Sequence, residues 1–147
     1  MSEIEFFAPG VPATKGSTKS FRCAGTGKIR TKGDNPRTKP WQRVVAQFAL
    51  YAQVKRAPRG QGVSLEVEFV LPRPKGHLGT GRNAGQLKPS APKRHTSKPD
   101  VDKLTRAILD ALTGVAYVDD SQVDVAPARK RYADPGEEVG ARIWVSS

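Results

Sequence analysis

The sequence predicts an α+β domain in which two helices cover one face of a single mixed β-sheet, with long basic loops at about 9–39 and 72–99. Three observations lead there. Gly62–Leu71 alternates, with Val63, Leu65, Val67 and Phe69 on one side and Ser64, Glu66 and Glu68 on the other, as in a half-buried strand. Val101, Leu104, Ala107, Ile108, Ala111 and Leu112 recur at the spacing of one helix face. The elements run strand, helix, strand, helix, strand, strand, and 147 residues suit one domain spanning residues 1–147.

In chain order, Glu3–Ala8 forms a short first strand. Pro9–Lys39 is rich in Gly, Lys, Ser and Thr with no sustained period, so a long basic loop or hairpin is expected. Pro40–Lys55 is expected to be helical, burying Trp41, Val44, Val45, Phe48 and Ala52. Pro72 ends the alternating strand, and Arg73–Pro99 is expected to be a structureless loop, functional or disordered. Gly114 caps the Val101–Leu112 helix. Tyr117–Val118 suggests a turn, Gln122–Tyr132 a strand, Asp134–Gly136 a turn and Val139–Val145 the last hairpin strand. Trp41, Phe48 and Trp144 are expected in the core, and His77 and His95 on the surface.

Composition excludes several classes. No apolar run approaches the roughly 18 residues of a membrane span. Met1–Phe7 carries Glu3 and Glu5 and no basic segment, unlike a signal peptide. One cysteine, Cys23, and two histidines cannot build a Cys/His zinc site. A reducing cytoplasmic location is expected. Gly25-Thr26-Gly27-Lys28 fails as a phosphate loop, because Arg22 stands where glycine is needed and Ile29 where Ser or Thr is needed, so no nucleotide cofactor is expected. A net charge of +11 points to a polyanionic partner, of which nucleic acid is the commonest.

The charge is segregated. Ala8–Val45 holds nine basic residues against Asp34 alone, and Pro72–Lys98 holds seven with no acid. Lys15, Lys19, Arg22, Lys28, Arg30, Arg73, Lys75, Lys93, Arg94 and Lys98 are the candidate DNA contacts, able to neutralise phosphates and release counterions. Phe21 lies among them and could stack on a splayed base. From Asp100 to Asp124 the sign inverts, with six Asp against Lys103 and Arg106. Carboxylates beside phosphates repel them unless a cation stands between, and Mg²⁺ favours carboxylate, water and phosphate oxygens.

Asp100 and Asp102 open the best helix, where one of them can cap it and negative charge is favoured. Asp102 and Arg106 fall one turn apart on its exposed side. The plain alternative is a solvated helix start with a surface ion pair. The functional alternative joins Asp100 and Asp102 with a carboxylate from Asp119–Asp120 around a divalent metal that activates water against a phosphodiester, with Arg106 as a fixed cation beside the phosphate. Asp110 is expected to make a structural hydrogen bond or to serve the helix end.

Lys98-Pro99-Asp100-Val101-Asp102-Lys103-Leu104, Leu109-Asp110-Ala111-Leu112-Thr113-Gly114 and Val118-Asp119-Asp120-Ser121-Gln122-Val123 together resemble the RusA family of Holliday junction resolvases. Pro9-Gly10-Val11-Pro12 and Lys15-Gly16 resemble the family's opening strand and turn. The resemblance implies a Mg²⁺-dependent homodimeric endonuclease, with Mn²⁺ as a substitute ion, cutting four-way DNA junctions in recombination and repair and often phage-encoded. It implies metal-binding carboxylates at Asp100, Asp102 and Asp120. Arg106 stands where the family often has lysine, which keeps the charge but supplies a poor proton donor. A dimer would match two sites to a two-fold substrate. The alternatives are a non-catalytic basic nucleic-acid-binding protein, or a flap or single-strand metal nuclease using the same carboxylates.

Overall fold

The computed structural model describes residues 3–16, 19–22, 24, 25, 27, 29–32 and 35–147. Its elements are β1 (Glu3–Pro9), β2 (Lys19–Arg22), β3 (Ile29–Lys32), α1 (Thr38–Tyr51), β4 (Val63–Leu71), α2 (Val101–Leu112), β5 (Val123–Val125), β6 (Ala128–Tyr132) and β7 (Gly140–Ser146). β1, β7 and β4 pair antiparallel in that order. Two short strands then run parallel to β4 on its other side, β5 against its start and β6 against its end. The sheet is therefore mixed, as expected, and the fold is α+β. β2 and β3 form a separate antiparallel hairpin within the first basic loop.

Two-residue alternation decides which side chains meet the helices. Phe6 and Ala8, Leu65, Val67 and Phe69, and Ala141, Ile143 and Val145 are buried. They form one core with Trp41, Val45 and Ala49 of α1 and Leu104, Ala107, Ile108, Ala111 and Leu112 of α2. The opposite sheet face is polar: Glu5, Trp144 and Glu66 align across three strands, as do Phe7, Arg142 and Glu68. Trp144 is thus half-buried on the open face, not in the core, because it alternates with the inward Ile143 and Val145. Phe48 is only partly buried at the edge of the core. Gly140 is required where β7 meets β1, since a Cβ there would stand 2.3 Å from the Ala8 carbonyl oxygen.

Three expectations need correction. α1 begins at Thr38, whose hydroxyl donates to the Thr14 carbonyl at 2.6 Å, and ends at Tyr51, short of Lys55, as the chain turns left-handed at Gln53 (φ 64°). The single strand expected at Gln122–Tyr132 is two strands separated at Ala126–Pro127. Pro127 has no amide proton to give a ladder, although its carbonyl accepts from the Val67 amide.

The third concerns Arg73–Pro99, which is organised rather than structureless. It contains 3₁₀ turns at Lys75–His77 and Gly81–Asn83 and isolated bridges between Leu78 and Leu87 and between Gly79 and Ala84. Tyr132, at the end of β6, is its anchor. The His95 ring lies 4.3 Å from the tyrosine ring, His77 meets it edge-on at 5.3 Å, and the Arg73 guanidinium sits 4.3 Å from its centroid. Lys130 donates to the carbonyls of Ser97 and Pro99. His95 is consequently buried and His77 half-buried, against the expectation of two surface histidines.

Candidate active site

α2 presents Asp102, Arg106 and Asp110 at successive turns on its exposed side because its apolar residues occupy the opposite stripe. Asp102 and Arg106 line an open groove of about 640 Å³ with Val101, Thr105 and Leu109 of the same helix, Asp120 from the turn before β5, and Ala126 and Ala128. The groove thus joins two carboxylates from separate stretches of chain with one guanidinium.

Asp120 reaches the groove because its turn is fixed at both ends. Tyr117, almost fully buried, donates its hydroxyl to the Leu109 carbonyl, and the Gly114 amide donates to the Tyr117 carbonyl at 2.7 Å. Asp119 is the N-cap of the 3₁₀ turn Asp120–Gln122, its Oδ1 accepting from the Ser121 amide at 2.9 Å. Gln122 closes the capping box: its Oε1 accepts from the Val118 and Asp119 amides at 2.8 and 3.1 Å. Its Nε2 donates to the Pro58 and Gln61 carbonyls at 2.9 and 3.0 Å, tying the turn to the approach to β4. Of the two adjacent aspartates, Asp119 is committed to this turn and Asp120 faces the groove.

The electrostatics follow the geometry. Burial, then hydrogen bonding and repulsion from Asp119 and Asp110, push the Asp120 carboxyl above its usual range, with Lys15 opposing. The Ser121 amide and hydroxyl hold Asp119 below its usual range. Lys15 forms a 2.8 Å ion pair with Asp110, whose Oδ2 also accepts from Gln42 at 3.1 Å, so Asp110 has the structural bonds expected of it.

Asp100 is placed differently. It is the N-cap residue of α2 by backbone conformation, yet its side chain caps no amide. It lines a neighbouring depression with Thr14, Lys98, Pro99 and Lys103, and Lys103 Nζ lies 3.9 Å from its carboxylate. Among the described residues, no three Asp, Glu, His or Cys side chains stand together as a ready-made metal cage. Mg²⁺ is commonly held by one or two carboxylates plus water and phosphate oxygens, so Asp102 and Asp120 fit that chemistry, whereas Asp100 lines the neighbouring depression and not this groove.

Of the candidate DNA contacts, Lys75, Lys93, Arg94 and Lys98 are exposed. Lys15 is engaged by Asp110. Arg73 is a structural strut, packed on Tyr132 and donating to the Pro92 carbonyl at 2.7 Å, and is not a free surface cation. Lys28 and the side chains of Lys19, Phe21, Arg22 and Arg30 lie outside the described residues, as does Cys23. The sequence assigns no role to Gln122, Tyr117 or Lys130, although Gln122 stands in the Val118–Val123 motif and the Asp119–Gln122 spacing is itself a capping-box signature.

A groove that sets Asp102 and Asp120 beside Arg106, on a chain of net charge +11, is the chemistry of a site for phosphodiesters. The chain matches the family model for endodeoxyribonuclease RusA over residues 9–142 and belongs to that family of nucleases. It is also 33% identical over 147 residues to "Uncharacterized protein YqaN" of Bacillus subtilis (strain 168), the match covering 97% of each chain. Among the described residues no helix is long and apolar enough to cross a membrane.

Proposed function

We propose that this nuclease is a Mg²⁺-dependent, structure-specific endodeoxyribonuclease that acts as a homodimer and resolves four-way DNA junctions by paired nicks, in recombination and repair. The observation that carries the reading is the shared groove of Asp102, Asp120 and Arg106. Its donor set is all oxygen, which suits a hard divalent cation. Asp102 and Asp120 would hold the ion, with Asp100 as the third carboxylate at the helix start. Bound there, Mg²⁺ supplies Lewis acidity toward a phosphodiester and a water of lowered pKa.

The remaining work falls to the chain's own groups. Arg106, one turn beyond Asp102, orients a non-bridging phosphate oxygen and offsets developing negative charge. Asp119 and Gln122 fix the turn that presents Asp120. Lys75, Lys93, Arg94 and Lys98 hold flanking phosphates and set a salt-dependent affinity.

The test uses Asp102→Asn and Asp120→Asn on a synthetic four-way junction with Mg²⁺ and with EDTA. Binding should persist or tighten as a repelling charge is removed, while cutting is lost. Cutting at the unmodified rate by either variant refutes the metal role. Parallel flap, single-strand and linear duplex substrates separate junction resolution from the other nuclease activities, and sedimentation with and without DNA reads the dimer.

A further inference from the structure

A second cavity, of about 290 Å³, lies between the N-terminal loop, the approach to α1 and the long loop. Pro12, Pro72 and Pro99 form apolar walls, and His95 and Tyr132 contribute aromatic surface. Arg37 and Lys98, both exposed, also line it, and among the described residues no acid does. Thr14, Lys98 and Pro99 border both this cavity and the depression holding Asp100, so the two adjoin.

Four features define an occupant. The volume falls just below the roughly 300–1,000 Å³ of small-molecule sites, which suits a single flat ring system. The proline surfaces offer apolar faces against which a heterocycle packs, the Tyr132 ring being already covered by His95 and Arg73. His95 is nine-tenths buried and its Nδ1 has no hydrogen-bond partner among the described residues, an orphan group of the kind that native structures rarely leave unexplained. The cations favour a ligand attached to phosphates on either side.

We infer that this cavity receives one unstacked nucleobase from the DNA strand whose phosphate lies beside Asp100. The inference rests on the nuclease reading for the placement of that phosphate. The branch point of a junction is where bases unstack at least expense, so the cavity would hold the strand in register while the neighbouring phosphate meets the acidic groove.

The experiment scans 2-aminopurine through the strands of a synthetic junction and records its fluorescence on binding in EDTA, where no cutting occurs. The natural protein should give a rise at one position per site. Val11→Trp places a large ring at the cavity mouth from a residue that is 49% exposed and outside the core. It should lower the rise at least fivefold while leaving melting temperature and overall junction affinity nearly unchanged. His95→Gln should lower the rise as well, and an abasic nucleotide at the same position should weaken binding of the natural protein about tenfold, the scale of one lost base stack. The proposal is overturned if complexes form with no rise at any position, or if both variants keep the natural signal. A rise without cutting in Mg²⁺ would sink the nuclease reading and leave the base cavity standing; cutting without a rise would do the reverse.

Discussion

Replacing Gln122 with alanine tests whether the turn, rather than the carboxylate alone, makes the site. The side chain makes four hydrogen bonds, accepting from Val118 and Asp119 and donating to Pro58 and Gln61. A net value of roughly 0.5–1.5 kcal/mol applies to each, and most of these are partly solvated, so the low end is appropriate and the sum is about 2–3 kcal/mol. For a domain of this size that lowers the melting temperature by about 5–10 °C. Gln122→Glu keeps both acceptors but sets a carboxylate against two carbonyl oxygens, and should destabilise at least as much. Because Asp120 follows the capping residue directly, Gln122→Ala should reduce kcat on a junction by about tenfold to a hundredfold, the usual effect of a misplacement near 1 Å. Affinity measured in EDTA should stay within about twofold, since Lys75, Lys93, Arg94 and Lys98 lie on a different loop. Calorimetry and single-turnover cleavage provide both readouts. A melting temperature within 2 °C of the natural protein together with unchanged kcat would refute the reasoning.

Three further outcomes are expected. Ile108→Ala removes a fully buried side chain between α2 and the sheet and should cost about 2–5 kcal/mol in urea unfolding. Burial, then the Lys130 ammonium, hold the His95 imidazole below its usual value near 6.5, so the opened loop binds the proton more readily than the native one. Loop stability should therefore be full above about pH 6.5 and fall on acidification below it, read as smaller protection factors of the Leu78 and Lys88 amides after correction for the intrinsic exchange rate at each pH; His95→Gln should abolish that slope. The paired 2.7 Å bonds from Arg131 hold the Glu137 carboxyl down to about 2, against a usual value near 4.5. That contribution is present above about pH 4.5 and lost as pH falls toward 2, and Glu137→Gln should lower stability at pH 7 by about 1 kcal/mol after solvent screening.

The elements legible in the sequence are those whose pattern is local. β4 and α2 each carry an uninterrupted period, and their bounds lie within a residue of expectation. The same period places Asp102 and Arg106 on the exposed face. What escaped depends on contacts between distant segments. Nothing near His95 or Arg73 in the chain signals that Tyr132 will bring them together, so the sequence alone implies a surface histidine and a free cation where the fold has a buried anchor and a strut. The end of α1 is set by one left-handed residue, Gln53, whose side chain gives no warning. Trp144, expected in the core, lies on the open face because its phase in the strand is opposite to that of Ile143 and Val145. Asp120 lies between these cases: the capping box that frees it is spelled locally, but its position opposite Leu109 requires Tyr117 to reach α2.

The distribution of ion pairs bears most directly on whether the acids at α2 are surface decoration. On the open sheet face, Glu5 pairs with Arg142, Glu68 with Arg129 and Arg131, and Glu137 with Arg131. That face offers phosphates little net attraction, which favours the helix and loop side for DNA. On that side Asp110 is neutralised by Lys15, and Asp100 has Lys103 nearby. Asp102 and Asp120 have no ion-pair partner among the described residues, although Arg106 lines the same groove. A chain with eleven surplus positive charges has cations to spare for two exposed carboxylates, and helix geometry favours the Asp102–Arg106 contact at four residues' spacing. Two acids without an ion-pair partner, where DNA would approach, favour an external cation that completes the site. A merely solvated helix start predicts that Asp102→Asn and Asp120→Asn strengthen DNA binding equally with and without Mg²⁺. A metal site predicts that the gain is large in EDTA and shrinks as Mg²⁺ is added, because the ion has already cancelled the repulsion in the natural protein.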